Sequence, residues 1–591
     1  MPESYDVKNY DVLVIGAGGA GLRAAIAAAE TGAKVAVISK SLLGKAHTVM
    51  AEGGAAAALG NVDPEDSWKT HFYDTVRSAK FINNWRIAEI FTKEAPDRII
   101  ELESWGALFD RTPEGRINQR WFGAHTYKRL AMVGDRTGLE ILRTLEYKAL
   151  HSGIDFFVEF TSVDFVRAGD RISGVVGYYR NTGAFAVFKA KAVVLASGGW
   201  GKVYKATSNS WESTGEGAAM AYRAGAKLMD MEMVQFHPTG MVWPPGVRGL
   251  LVTESVRADG GYLLNSEGER FMLRYDPERK ELSSRDVVAR SIYKEVKAGR
   301  GSPHGGAFLD ITHMGADYIK RRIPNMYDQY KTLADIDITK DKFEVGPTIH
   351  YTMGGIRFEP ETCRTNLAGL YVAGESASGL HGANRLGGNS LTDLLVFGRR
   401  AGLAAGEEAK GVEGEVKIDE SEVQAAIERT LAPLGRDGEN PYEIHEALQE
   451  VMGSCAGIER NGEGLETGLK RIKDLQDRAK HVAAPGGREF NPGWHAVGEV
   501  NAMLVLSEAI FRSAIERKES RGAHWRTDYP EYDDELGQLN FITEIGKDGE
   551  MTLSTEPVPK LPAEYLALFD PKRDPGMPYT SVEGTSKGGG E

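Results

Sequence analysis

The chain has 591 residues, 41% hydrophobic and 26% charged, which fits a globular protein of several domains at roughly 150 residues each. A net charge of −13 argues against a nucleic-acid partner, because phosphate binding wants a basic face. Two cysteines, Cys363 and Cys455, exclude a disulfide framework and cannot supply the four thiolates of a conventional iron–sulfur cluster, whereas seventy glycines exceed the roughly 7% average and ask for tight turns and close backbone approach.

Met1 to Tyr10 has neither a signal h-region nor an Arg-rich transit pattern, and no apolar run approaches the ~18 residues of a membrane span, so the chain reads as soluble and cytoplasmic. Tyr10–Ile15 reads as a buried strand. It is followed by Gly16-Ala17-Gly18-Gly19-Ala20-Gly21, an Ala-rich helix over Leu22–Thr31, and a second buried strand over Lys34–Ile38. Strand, Gly-x-Gly-x-x-Gly, helix, strand is the context of a dinucleotide site: one glycine turns the chain, one admits a pyrophosphate, one lets helix and strand pack. The acid that often ends the second strand is missing, since Ser39-Lys40-Ser41 stands there, which disfavours a nicotinamide cofactor. Ser152–Phe188 alternates as a β-meander inserted in the domain. Ala192–Ala196 and Leu370–Ala373 are further buried strands, and with the first they suit one parallel sheet built from discontinuous segments. Residues 236–350 then read as an inserted domain of mixed type. From Asp419 the pattern turns helical: Asn440-Pro441 starts a helix carrying Ile444, Ala447, Leu448, Val451 and Met452, then come Leu465, Leu469 and Ile472, and a helix over Ala502–Ile515. This region reads as a bundle with no chemistry of its own, and Pro559–Glu591 as an extended, partly disordered arm.

Several motifs are similar to those of the flavoprotein subunit of succinate dehydrogenase or fumarate reductase, from about Tyr10 to Pro530. They are Ala46-His47-Thr48 with Glu52-Gly53-Gly54; Phe236-His237-Pro238-Thr239-Gly240; Thr253-Glu254 with Arg257; Ser284-Arg285-Asp286; His350-Tyr351-Thr352-Met353-Gly354-Gly355; Gly382 to Ser390; and Ser520-Arg521-Gly522-Ala523-His524. The resemblance implies an α/β fold: a Rossmann-like FAD-binding domain (1–235 and 351–418) with an inserted α+β capping domain (236–350), a helical domain (419–530) and a C-terminal arm (531–591). It implies FAD bonded covalently to His47, although Ala46 stands where Ser is usual and Glu52 where Gln is common. FAD contacts would come from Gly16, Ala17, Gly18, Gly19, Ala20, Gly21, Ser39, Lys40, Thr48, Gly53, Gly54, Glu216 (where Asp is more frequent), Glu375, Ser390 and Leu391.

For substrate, the resemblance implies succinate and fumarate, a dianion gripped by His237, Thr253, His350 and Arg385 beside Phe122. An Arg fork suits a carboxylate. The proton step falls to Arg285 with Glu254 and Arg257 as relay. A free guanidinium hardly releases a proton, so this assignment requires burial and a neighbouring cation, a place Arg257 fills. With too few cysteines for a cluster, electrons would pass to an iron–sulfur subunit, then to quinone through membrane anchor subunits, placing the protein peripherally on the cytoplasmic face of a bacterial inner membrane. Two other readings stay open: an enzyme of the same fold, such as an aspartate oxidase or a soluble fumarate reductase, and a flavoprotein that binds RNA or carries electrons without a substrate of its own.

Overall fold

In the computed structural model, which describes residues 3–577, three segments far apart in the chain share one seven-stranded sheet. Strand Tyr5–Ile15 pairs in parallel with Val35–Ile38 on one side and Phe185–Leu195 on the other, and Leu370–Val372 joins the latter, also in parallel. The first strand begins at Tyr5 rather than Tyr10, because its polar start finds a ladder partner at Phe185. The meander joins this sheet directly. Phe160–Ala168, Arg171–Tyr179 and Phe185–Leu195 are antiparallel neighbours in this same sheet. The strand Phe185–Leu195 is shared along its length: its first half pairs with the meander and its last residues, Val193–Leu195, with Leu370–Val372.

Two helices fix the open end of this sheet. Gly19–Glu30 and Asn389–Lys410 lie side by side in the same direction, since a Cβ on Gly398 would collide with Ala20 and one on Gly402 with Ala24. Close packing of small residues thus brings both N-termini to the carboxyl ends of the parallel strands, the place where doubly wound sheets bind ligands.

The chain leaves along Val234–Met241 and returns along Phe343–Thr352, in an antiparallel ladder from Val234↔Thr352 to Met241↔Val345. Ala307–Asp310 and Tyr262–Leu264 complete a four-stranded sheet. A hydrophobic cluster of its own, including Met241, Val252, Leu263, Ile292, Leu309 and Val345, fills this inserted unit.

Helices Glu420–Leu431, Pro441–Cys455, Gly462–Ala479 and Pro492–Glu516 follow. Asn440 caps the second of them, its side chain accepting from Tyr442 N, with proline in the first turn. Ile444, Leu448, Val451, Met452, Leu465 and Ile472 are buried, in a cluster continuous with the main core. The last helix starts at Pro492, not Ala502, because Asn491 caps it and Trp494 is buried in its first turn. The C-terminal segment is less of a free arm than its Pro and Gly content indicates. Strands Leu539–Ile545 and Met551–Pro557 form a hairpin on Leu228–Met229. Beyond them Tyr565 packs 4.9 Å from Phe72, and Phe569 5.1 Å from both Tyr73 and Phe81. Burial of these aromatic rings outweighs the local turn signal. The rest of the expected arm, 578–591, lies outside the described residues.

Candidate active site

A cleft of about 1440 Å³, counting its open mouth, runs along the carboxyl ends of the parallel strands. Its lining runs from the glycine turn at Gly16 to His350, an extended shape that suits a dinucleotide. Gly16, Ala17, Gly18, Gly19, Ala20, Ser39, Lys40, His47, Thr48, Glu216, Glu375, Ser390 and Leu391 all line it. The glycine turn fits a pyrophosphate on steric grounds. A Cβ on Gly21 would collide with Gly16 O, so this glycine packs helix on strand and does not face the cleft. A Cβ on Gly18 would meet only ordinary contacts, 3.5 Å from Thr48 Oγ1 and 3.6 Å from Ala46 Cβ, so bare backbone faces the space. The N-terminus of helix Gly19–Glu30 begins there, a ready site for an anion.

Gly53 and Gly54, expected at the cofactor, do not line the cleft. A Cβ on Gly53 would come 2.7 Å from the Phe122 ring, and one on Gly54 2.9 Å from Ala131 O. These glycines make room for Phe122 and for the strand Leu130–Ala131. The carboxylate missing from the second strand arrives from elsewhere: Glu216 Oε1 is 2.7 Å from Lys40 Nζ, with Thr214 Oγ1 donating to Glu216 Oε2 at 2.5 Å. Glu375, by contrast, accepts from Thr352 N at 3.0 Å, and burial pushes its carboxyl up to about 7.

His47 lies in a single turn, His47–Met50, over the cleft. Its Nδ1 accepts from Ser210 N at 3.3 Å, and Asn209 Nδ2 lies 3.5 Å from Nε2. Burial pushes the imidazole down to about 4, so it stands neutral, with a free-base nitrogen.

At one end the cleft reaches His350 and Tyr351, and there the second cluster begins. The ladder Val234–Met241/Phe343–Thr352 sets the rings of His237 and His350 5.0 Å apart, although they come from opposite ends of the insertion. Ser208 Oγ sits 2.8 Å from His350 Nδ1 and Thr239 O 2.9 Å from His237 Nδ1, fixing both rings. Burial holds both imidazoles well below their ordinary value, His237 aided next by Arg285 and His350 next by His237, so both are neutral. Thr253 Oγ1 donates to Ser255 Oγ at 3.2 Å, which in turn accepts from Arg120 Nη1 at 2.5 Å.

Arg285 opens the helix Arg285–Lys297 and is buried. Its Nε donates to Glu254 Oε2 at 3.0 Å and its Nη1 to Gln235 Oε1 at 3.3 Å. Arg257 Nη2 is 3.8 Å from the same Glu254 oxygen, and Gly123 N donates to Oε1 at 2.8 Å. Burial alone would raise the Glu254 carboxyl, but the charges of Arg285 and Arg257 outweigh it and hold it below the usual range. The two cations expected at this step therefore share one carboxylate. Arg385 differs from both. It is 3% exposed, donates from Nη1 to Ser390 Oγ at 2.6 Å and lies over the Tyr351 ring, yet its Nε has no partner and it makes no ion pair among the described residues. Burial first, then the Arg285 charge, push it down to about 9, still a cation at neutral pH.

Sequence reading missed the residues that hold these groups. Ser208, Asn209 and Ser210 orient His350 and His47, Gln235 meets Arg285, and Gly123 offers its N–H to Glu254. The polar run Thr207–Ser210 after a Gly-rich turn was the available signal for the first three. Nothing in the sequence marked a backbone N–H.

A dinucleotide cleft beside an inserted unit, with His237 buried, His350 half-buried and three buried arginines where they meet, fits an FAD-dependent oxidoreductase. The model of the FAD binding domain matches residues 11–391, and that of the fumarate reductase flavoprotein C-terminus residues 445–567. The chain is 45% identical over 526 residues to a fumarate reductase (CoM/CoB) subunit of Methanothermobacter marburgensis, covering 88% of this chain and 94% of that protein. It is 38% identical over 582 residues to the succinate dehydrogenase flavoprotein subunit of Rickettsia bellii, covering 94% and 97%. Among solved structures, Mycobacterium smegmatis Sdh1 in complex with UQ1 superposes with a TM-score of 0.85 at 52% identity, covering 94% of this chain and 95% of that one. A mutant of the E. coli quinol fumarate reductase FrdA superposes with a TM-score of 0.89 at 35% identity, covering 94% and 98%. The chain belongs to the succinate dehydrogenase/fumarate reductase flavoprotein family, whose members bind FAD covalently.

Proposed function

We propose that the chain interconverts succinate and fumarate with FAD bonded to His47, and that the unpaired, buried guanidinium of Arg385 is the observation that carries the substrate class. A buried cation without a counter-ion is costly, and a ligand carboxylate offsets that cost. Arg385, His350, His237 and Thr253 hold the two carboxylates, the neutral imidazoles acting as hydrogen-bonding groups. Phe122, 2% exposed and packed on Ala56 and Leu130, walls the site against water. Gly16 to Ala20, Ser39, Lys40, Thr48, Glu216, Glu375, Ser390 and Leu391 hold the cofactor. Bound FAD supplies the centre that takes or gives a hydride. Arg285 relays the proton at the other substrate carbon: during oxidation it passes its Nε proton to the Glu254 carboxylate as it takes the substrate proton, and during reduction the transfer runs in reverse, with Arg257 behind Glu254.

Electrons leave through another chain: both cysteines are buried, and the described residues hold no metal-binding cluster of His, Cys, Asp and Glu. An iron–sulfur subunit is the partner this family membership favours, with quinone as the far end. The Mycobacterium smegmatis relative, solved with UQ1, favours quinone over the CoM/CoB pair in the name of the Methanothermobacter marburgensis protein. No helix among the described residues is long and apolar enough to cross a membrane, so we place the chain peripherally, on the cytoplasmic face of a bacterial inner membrane, held there by its partners.

Dye reduction by succinate, with none by aspartate, tests the substrate; the reverse pattern would make the enzyme an aspartate oxidase. The covalent link has a separate readout. The acid-denatured wild-type band is expected to carry flavin fluorescence on a gel, and His47→Ala is expected to lose it while still binding FAD in the native state. A dark wild-type band would remove the attachment.

A further inference from the structure

Behind Arg285 lies a set of buried groups that the reaction does not use. His125 is 5% exposed, its Nε2 is 2.7 Å from Gly387 O, and its Nδ1 is 3.2 Å from Arg129 Nη1. A guanidinium only donates, so Nδ1 is the acceptor and the ring hydrogen of a neutral imidazole sits on Nε2, pointed at the Gly387 carbonyl. Arg129 is itself clamped, by Asp66 at 2.9 and 3.1 Å and by Asp74 at 2.7 Å. Burial first, then the Arg129 charge, push His125 down to about 3, so this tautomer persists throughout the neutral range.

Gly387 belongs to the turn between Arg385 and helix Asn389–Lys410. The next two residues are also tethered: Gly388 O accepts from Ala56 N at 3.1 Å, and Asn389 Oδ1 lies 2.9 Å from His71 Nε2. The open side of Gly387 faces the chemistry. A Cβ there would come 3.0 Å from Phe122, 3.3 Å from Arg285 Nη2 and 3.5 Å from Glu254 Oε2. The backbone of this turn is therefore the surface on which the Arg285 guanidinium rests.

We propose that His125 is a positioning residue: its donation to Gly387 O holds the turn against Arg285 and Glu254, and so sets the distance from the Arg285 guanidinium to the substrate carbon. The inference rests on the succinate/fumarate reading and names a residue through which that site acts. His125 touches no reacting atom, so its loss should slow the chemistry more than it weakens binding. A misplacement of ~1 Å at a reacting group can cost about a hundredfold.

The test uses the FAD-loaded protein with three variants. His125→Leu removes the N–H, His125→Met removes it while keeping a flexible apolar filler should Leu disturb packing, and His125→Gln can offer an amide N–H to Gly387 and an amide oxygen to Arg129. In Leu and Met, kcat for succinate is expected to fall about 10- to 100-fold. Malonate, an unreactive dicarboxylate followed by its effect on the flavin spectrum, should bind almost as in the parent. Gln is expected to recover most of the loss. Parent-like turnover in Leu and Met, Gln as slow as either, or malonate binding lost in step with kcat would overturn the inference. If the parent itself fails to oxidise succinate, the functional reading falls instead.

Discussion

Arg285→Lys is expected to lower turnover by roughly 10²- to 10⁴-fold, the contribution typical of a positioned proton donor or acceptor, with dicarboxylate binding largely kept. The geometry gives the reason. Arg285 reaches Glu254 through Nε and Gln235 through Nη1, which leaves Nη2 beside Gly387. A lysine has one nitrogen for these tasks. If its ammonium stays on Glu254 it cannot also present a proton to the substrate, and if it reaches for substrate it abandons Glu254. The carboxylates are held by other residues, so malonate affinity should change little. Stopped-flow reduction of the bound flavin by succinate measures the chemical step directly. Near-normal reduction in Arg285→Lys would end the proton-transfer role and leave Arg285 as a structural ion pair with Glu254.

The second large effect is expected at Arg385. Arg385→Met should weaken malonate and succinate binding by roughly 30- to 3,000-fold, the equivalent of about 2–5 kcal/mol for a buried, charge-assisted pair. The value depends on Arg385 having no counter-ion before substrate arrives, unlike Arg257 and Arg285, which share Glu254. Removing it should leave the protein folded, because an uncompensated buried charge adds little to stability, and methionine fills similar apolar space over Tyr351. Calorimetric titration with malonate and a thermal melt on the same sample separate the two effects. Unchanged affinity, or a large fall in melting temperature with affinity intact, would show that Arg385 braces the fold rather than the ligand.

How much of this was legible beforehand depended on the kind of signal. The Gly16–Gly21 turn, flanked by Val12–Ile15 and Val35–Ile38, announced the parallel sheet because apolar runs and glycine punctuation act locally. Asn440 and Pro441 gave a helix start for the same reason. The strand Phe185–Leu195 was misread because two partners claim different halves of it, and a window of sequence sees neither. Tyr565 and Phe569 were hidden for a similar reason: a Pro- and Gly-rich segment looks free until Phe72 and Phe81 bury its rings. At the site, histidine and arginine motifs gave the residue types, and the resemblance gave their grouping. The ladder then shows why His237 and His350 adjoin. What no motif carried was the support. Gly53 looked like a cofactor glycine and in fact makes room for Phe122. His125 and Gly123 act through a carbonyl and a backbone N–H, which leave no pattern in side-chain identity.

The central claim is that this one chain binds FAD and dicarboxylate together and passes two electrons between them. An anaerobic titration of the FAD-loaded protein with succinate tests it without any partner chain. The oxidised-flavin absorption is expected to bleach with succinate and to return with excess fumarate, while aspartate leaves it unchanged. A flavin that dithionite bleaches but succinate does not, at succinate concentrations that displace malonate, would contradict the account.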